Sequence, residues 1–270
     1  MSASRLRSGL LGLIGVVTAA AVSLTLAPAA HAATGGYVAL GDSYSSGVGA
    51  GNYIGSSGSC DRSPNAYSAL YNSAHHPSSY VSVACSGAKT TDVNASQLSA
   101  LSASTGLVSI TVGGNDVGFA NIMQTCVLEG TDECVAAVQA AENTATSSLP
   151  GLLNTTYNGI RSHAPNAKVV VLDYPVFYNL SSSFCIGLSN ESRSKIDQGI
   201  NLVDGIIRTA ATGHGFTFAD VRSQFVGHQL CSGGTKWLHS LNFTDITESY
   251  HPTAAGQSGG YYPVFNSAAG

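Results

Sequence analysis

Residues 37–51 read YVALGDSYSSGVGAG. Tyr37, Val38, Ala39 and Leu40 form an apolar run of the length of an inner strand, and the run stops abruptly at Gly41. Glycine permits a sharp turn there, and the small residues beyond Ser43 suit a helix entry or a close backbone approach. Backbone N–H groups at a helix entry have no partner within the helix and point outward, where they can meet an anion. This stretch therefore predicts a buried strand whose exit loop presents Ser43 as a nucleophile. Taken singly, a serine in such a loop is a cap or a turn residue. The rest of the chain changes that reading.

Upstream, residues 1–32 read as a secretory leader. Arg5 and Arg7 make a basic start, residues 10–26 are apolar, and Ala30-His31-Ala32 offers a small-x-small cleavage site. The alternative, an uncleaved anchor, fits poorly with so short a run rich in Ala, Gly and Thr. Residues 33–270 then form one α/β domain, with no stable membrane anchor once the leader is removed. Without Arg5 and Arg7, nine basic residues face fifteen acidic ones, a formal charge of −6. No basic stripe is visible, so nucleic acid is excluded as a partner. Six cysteines in an exported chain predict three disulfides, and composition alone leaves 15 pairings open. There is no CxxC and no HExxH, so neither metal nor cofactor is expected.

Downstream, strand-like runs recur at residues 80–84, 107–112, 168–172 and 216–219, each ending in a small or polar loop. Helical patterns lie between them. Residues 65–74 read as a short helix, and Pro150 is expected to break or restart the helix around it. Ile196, Ile200, Val203 and Ile207 make an apolar helical stripe assigned to the core. Residues 125–134 read as an acidic loop stapled at its base, and His251-Pro252 opens a terminal helix. Strands alternating with helices imply a parallel sheet in a three-layer α/β/α sandwich. Ligands gather at the carboxyl edge of such sheets. Ser43, Gly87 and Asn115 follow the first three strands and His251 follows the fifth, so all four are expected at that edge.

GDSYSSG around Ser43, Gly87, GGND around Asn115 and HP at His251 stand in the order of four sequence blocks, and by them the chain resembles the SGNH, or GDSL, hydrolases. With the leader and the cysteines, it resembles the secreted actinomycete (Streptomyces-type) lipases and esterases of that family, phospholipases included. The resemblance implies a flavodoxin-like sheet of about five parallel strands, and disulfides Cys60–Cys85, Cys126–Cys134 and Cys185–Cys231. It also assigns the oxyanion hole to the Ser43 and Gly87 backbone N–H groups and the Asn115 side-chain amide. Asp42 and Asp116 are read as loop-stabilising, and His75, His76, His163, His214, His228 and His239 as surface or core residues.

The chemistry asks for these residue types independently. A serine hydroxyl needs a base within hydrogen-bond reach, and imidazole, titrating near neutral pH, can take the proton and return it to the leaving alcohol. Ser43 and His251 are the pair expected to do this. The family usually places an aspartate three residues before the histidine; here that position is Glu248. Either its carboxylate or the Ser249 backbone carbonyl orients the ring, and the sequence leaves both open. The expected activity is a secreted, monomeric carboxylic ester hydrolase acting on lipid acyl esters through a Ser43 acyl-enzyme. Phe177, Tyr178, Phe184, Phe225, Trp237 and Phe243 are offered as walls of an acyl cleft. The alternatives are a phospholipase A-type activity, a carbohydrate or cell-wall acetylesterase, and a catalytically silent binding module. GVGAG at 47–51 lacks the spacing of a dinucleotide fingerprint.

Overall fold

The structure is a computed structural model that describes residues 35–182 and 184–270, with Met1 and Ala3 alone before them. The expected leader falls almost wholly outside the described residues, and no helix described is long and apolar enough to cross a membrane. Residues His31–Gly270 make one compact unit. Five strands, β1 (Gly36–Gly41), β2 (Tyr80–Ser82), β3 (Thr105–Thr111), β4 (Lys168–Leu172) and β5 (Thr217–Ala219), form one sheet in the order β2-β1-β3-β4-β5, with every pairing parallel. Tyr37 to Leu40 in β1 and Val169 to Leu172 in β4 are buried on both faces. Such doubly covered strands read as continuous apolar runs, which is why these two were legible.

The helices are α1 (Ser43–Ser46), α2 (Tyr67–His75), α3 (Thr90–Asp92), α4 (Phe119–Leu128), α5 (Thr131–His163), α6 (Asn190–Gly213), α7 (Arg222–Phe225) and α8 (Tyr262–Ala269). α2 and α8 pack together, and Tyr37 of β1 stacks on Phe265 of α8 at 5.5 Å and meets Tyr71 of α2 edge-on at 5.6 Å. α5 and α6 make the largest helix pair.

Two expectations need correction. Pro150 lies inside α5, which runs unbroken for 33 residues. Proline withholds one backbone N–H and crowds the preceding turn, a cost of about 3 kcal/mol. Burial of Leu149, Leu153, Tyr157 and Ile160 along the same helix outweighs it. The stretch 125–134 is mostly helix end rather than loop: α4 stops at Leu128, Glu129 and Gly130 turn the chain, and α5 begins at Thr131. Cys126–Cys134 joins the two helices across that turn, while Cys60–Cys85 and Cys185–Cys231 tie loops.

The connection after β1 runs to one side of the sheet, to β2, and the next runs back across β1 to β3. Their carboxyl ends therefore flank the point where the connections change direction, where a crevice opens in sheets of this type.

Candidate active site

β1 delivers the chain into a constrained corner. Gly41 has φ +120°, and a β-carbon there would run into the backbone of Thr111. Asp42 then caps α1, its carboxylate accepting the Tyr44 N–H at 3.0 Å. The same carboxylate accepts the Thr111 hydroxyl at 2.6 Å and the Tyr174 hydroxyl at 2.5 Å. Three strand ends, those of β1, β3 and β4, are thereby tied at one acid. Burial raises the Asp42 pKa to about 6, while the Thr111, Tyr174 and Tyr44 hydrogen bonds pull against that rise. Asp116 does similar work between the exits of β2 and β3, accepting the Thr90 N–H at 3.0 Å and its hydroxyl at 2.5 Å.

Ser43, the first residue of α1, meets His251: Nε2 lies 2.7 Å from the Ser43 hydroxyl oxygen. On the other side of the ring, Nδ1 lies 3.1 Å from the Ser249 carbonyl oxygen. A carbonyl only accepts, so Nδ1 carries the hydrogen and Nε2 offers its lone pair to the Ser43 O–H. Glu248 is not the ring's partner. Its carboxylate accepts the Tyr53 hydroxyl at 2.6 Å, and that hydroxyl accepts the Gly49 N–H at 2.9 Å. The choice left open between Glu248 and Ser249 thus falls, geometrically, to the Ser249 carbonyl. Burial, with the neighbouring His239, pushes the His251 pKa down to about 4, against the pull of the Ser249 hydrogen bond. The ring is neutral at pH 7 and ready to accept a proton.

Gly87 and Asn115 line the same cleft as Ser43 and His251. Gly87 has φ +76°, and a β-carbon there would meet only open space, so glycine is required by the backbone rather than by crowding. Among the described residues neither the Ser43 nor the Gly87 N–H meets an acceptor. Asn115 donates one amide hydrogen to the Ala88 carbonyl at 3.1 Å, and an amide has a second to give. The arrangement can activate a hydroxyl and supply three uncharged donors to a developing oxyanion.

The GDSL-like Lipase/Acylhydrolase family matches residues 39–258. The chain belongs to that family. It is 54% identical to Lipase 1 of Streptomyces coelicolor over 261 residues, 95% of this chain and 97% of that protein. The crystal structure of phospholipase A1 from Streptomyces albidoflavus NA297 superposes with a TM-score of 0.85 at 52% identity, over 87% of this chain and 100% of the other. An extracellular lipase from Streptomyces rimosus gives a TM-score of 0.84 at 50% identity, over 87% of this chain and 99% of the other. The protein is a serine ester hydrolase of the GDSL type.

Several residues that hold this GDSL site together carry no sequence signal. Gln97 is buried and pairs with Gly41 in both directions, accepting its N–H at 2.7 Å and donating to its carbonyl at 2.9 Å. Gln257 accepts the Tyr67 N–H at 2.9 Å and donates to the Tyr44 carbonyl at 3.0 Å. Tyr44 in turn donates its hydroxyl to the Tyr250 carbonyl at 2.8 Å, joining the nucleophile helix to the histidine loop. Tyr250 sits at φ +66°, a conformation that costs a non-glycine residue energy, and its ring is stacked on Phe177 at 5.5 Å. His239, read only as surface or core, accepts the Tyr250 N–H and donates its own N–H to the His251 carbonyl through the backbone, and its ring reaches the Gly49 carbonyl at 2.7 Å.

Two cavities meet at Ser43. A narrow one of about 80 Å³ runs among α4, α5 and α6, lined by Phe119, Met123, Val138, Ile196, Ile200 and Val203. The stripe on α6 assigned to the core therefore also walls the site. A wider cleft of about 580 Å³ opens on the other side, past Asn115 and His251 toward Phe243. Of the six aromatics offered as walls, Phe177 lines the narrow cavity and Phe243 the wide cleft. Tyr178 and Phe184 line an adjoining groove instead. Phe225 and Trp237 face each other edge-on at 5.6 Å and line neither cavity, because Phe225 packs inward against Tyr261.

Proposed function

We propose that this GDSL hydrolase cleaves lipid acyl esters, seating the first carbons of the acyl chain in the narrow cavity and the alcohol portion in the wide cleft. The apolar cavity beside the Ser43 hydroxyl carries this reading. At about 80 Å³ it takes the first few carbons of an acyl chain, and a hydrocarbon gains from each methylene it withdraws from water. Neither cavity has a lysine or arginine among its lining residues. A phosphate bound there would lack a cationic partner, which favours neutral glycerides over phospholipids as the substrate class.

In this mechanism His251 Nε2 takes the proton from Ser43 as its oxygen bonds to the acyl carbon. The carbonyl oxygen becomes an oxyanion held by the Ser43 N–H, the Gly87 N–H and the Asn115 amide, each of which is worth about 10² to 10³ in turnover. Collapse breaks the ester C–O bond, and the departing alcohol takes the proton from Nε2. Water then attacks the acyl-enzyme, giving a proton to Nε2; the fatty acid leaves and Ser43 recovers that proton. His251 is the base and acid, Ser249 its orienting carbonyl. No cofactor enters any step.

The three disulfides and the leader-like start support an exported protein whose working form is residues 33–270. The test is kcat/KM over ester chain length on glycerides and phospholipids, with wild type and Ser43→Ala side by side. Rates should rise from acetyl to long acyl esters and vanish in the variant. Activity confined to acetyl esters would sink the lipid reading, and failure of a fluorophosphonate to label Ser43 would sink the mechanism.

A further inference from the structure

Five of the seven large apolar side chains that are more than 60% exposed among the described residues are gathered around the mouth of the site. Phe243 is 84% exposed, Leu128 68% and Ile246 62%, and all three line the wide cleft together with Ser43 and His251. Phe184, 75% exposed, and Ile186, 86% exposed, line the adjoining groove. Val127, Leu241 and Tyr250 line both, so cleft and groove are continuous. Both exposed phenylalanines among the described residues lie on this rim. Single exposed apolar residues are ordinary, but a contiguous set around a functional opening marks an interaction surface.

We infer that this rim docks on a net-neutral lipid surface and holds the mouth of the cleft against it. The inference rests on the lipid-ester reading and adds where the enzyme meets its substrate. Continuity with the cleft selects the occupant: an ester drawn from a lipid layer would enter toward Ser43 without crossing water. Charge narrows it further. Asp245 and Glu248 flank Ile246, Glu129 follows Leu128, and Lys236 is the one basic residue lining the groove. With a formal charge of −6 on residues 33–270, an anionic surface repels this face and a net-neutral one does not.

The test uses the protein without its leader, inactivated as Ser43→Ala so that vesicles stay intact, in co-sedimentation with phosphatidylcholine vesicles. Replacing Phe243 and Ile246 together by Ser should weaken binding roughly tenfold or more, the effect of keeping two such side chains out of lipid. Val226→Ser, which removes an equally exposed apolar residue that lines neither cleft nor groove, should bind as the parent does. A second probe does not depend on losing anything: Phe243→Trp should shift its emission to the blue on adding vesicles. The native Trp237, stacked on His228 at 3.7 Å, supplies the reference signal. Unchanged binding in the double variant, no shift from the tryptophan, or tighter binding to vesicles containing phosphatidylglycerol would each overturn the inference. Because the readout is binding by an inactive protein, its failure is separate from failure of the lipid-ester reading, which is judged on hydrolysis by the active enzyme.

Discussion

Replacing Glu248 by Gln tests which group orients His251. A carboxylate that holds a catalytic imidazole contributes about 10⁴ to turnover when its charge is removed, because the ring then adopts the wrong tautomer. In this structure the ring's Nδ1 hydrogen goes to the Ser249 carbonyl at 3.1 Å, a bond that Glu248→Gln leaves intact. What changes is the Tyr53 hydrogen bond at 2.6 Å, which loses its charge but keeps an acceptor in the Gln amide, and the long 3.5 Å bond from the Asn242 amide to the other carboxylate oxygen, which the Gln NH2 cannot accept. That difference is about 0.5–1.5 kcal/mol. Transmitted in full to the transition state it amounts to roughly tenfold at most. Steady-state kcat/KM on a water-soluble p-nitrophenyl butyrate at pH 7, with the melting temperature measured beside it, gives the answer. A fall of about 10³ or more in a variant that melts like wild type would show that the carboxylate, and not the carbonyl, positions the ring.

The remaining expectations follow from the same geometry. The acid limb of kcat/KM should turn at about pH 4 rather than near 6.5, since His251 must be unprotonated to act and its pKa is pushed down to about 4 by burial and by His239; an inflection at 6.5 in the free enzyme would contradict this. Asp197, which accepts the Phe177 and Tyr178 N–H groups, has its pKa raised to about 7 by burial. The folded state then holds a proton that the unfolded chain releases near pH 4, so this group's contribution to stability falls as pH rises from about 4 through 7. Asp197→Asn should flatten that part of a melting-temperature profile, and an unaltered slope would refute it. Gln97→Ala strips the Gly41 N–H of its acceptor in a buried corner and should lower stability by about 2–4 kcal/mol in urea denaturation, with a matching loss if Gln97 is present only for packing excluded by Gln97→Met, which should fare no better. A β-carbon at Gly199 would lie 2.9 Å from Val138 in the wall of the narrow cavity. Gly199→Ala should therefore cut the preference for long over short acyl esters roughly tenfold, and an unchanged chain-length ratio would remove the cavity from the argument.

How much of this was legible in the sequence depended on how local the cause was. The strands at 37–40 and 168–172 announced themselves because both faces are covered, so four or more successive residues are apolar, and Gly41 marked the exit because few other residues tolerate its φ of +120°. The positions of Ser43, Gly87, Asn115 and His251 at strand exits followed from strands alternating with helices, and the family blocks named them. Pro150 misled because a one-residue helix rule cannot see the packing of the whole of α5 against α6. The dual use of Ile196, Ile200 and Val203 was hidden for a related reason: a stripe at helical spacing looks the same whether it faces a filled core or an open cavity.

By itself, the sequence determined the strand runs, the glycine corners and the residue types that the chemistry needs, since each is dictated by a few neighbouring side chains and backbone angles. Only the tertiary structure decided that the Ser249 carbonyl, not the Glu248 carboxylate, faces the imidazole, that Gln97 and Gln257 brace the nucleophile turn, and that Tyr250 accepts a strained backbone to carry His251 to Ser43. These arrangements depend on hydrogen bonds between groups as many as 213 positions apart, whose partners are chosen by the fold and leave no periodic or local trace along the chain.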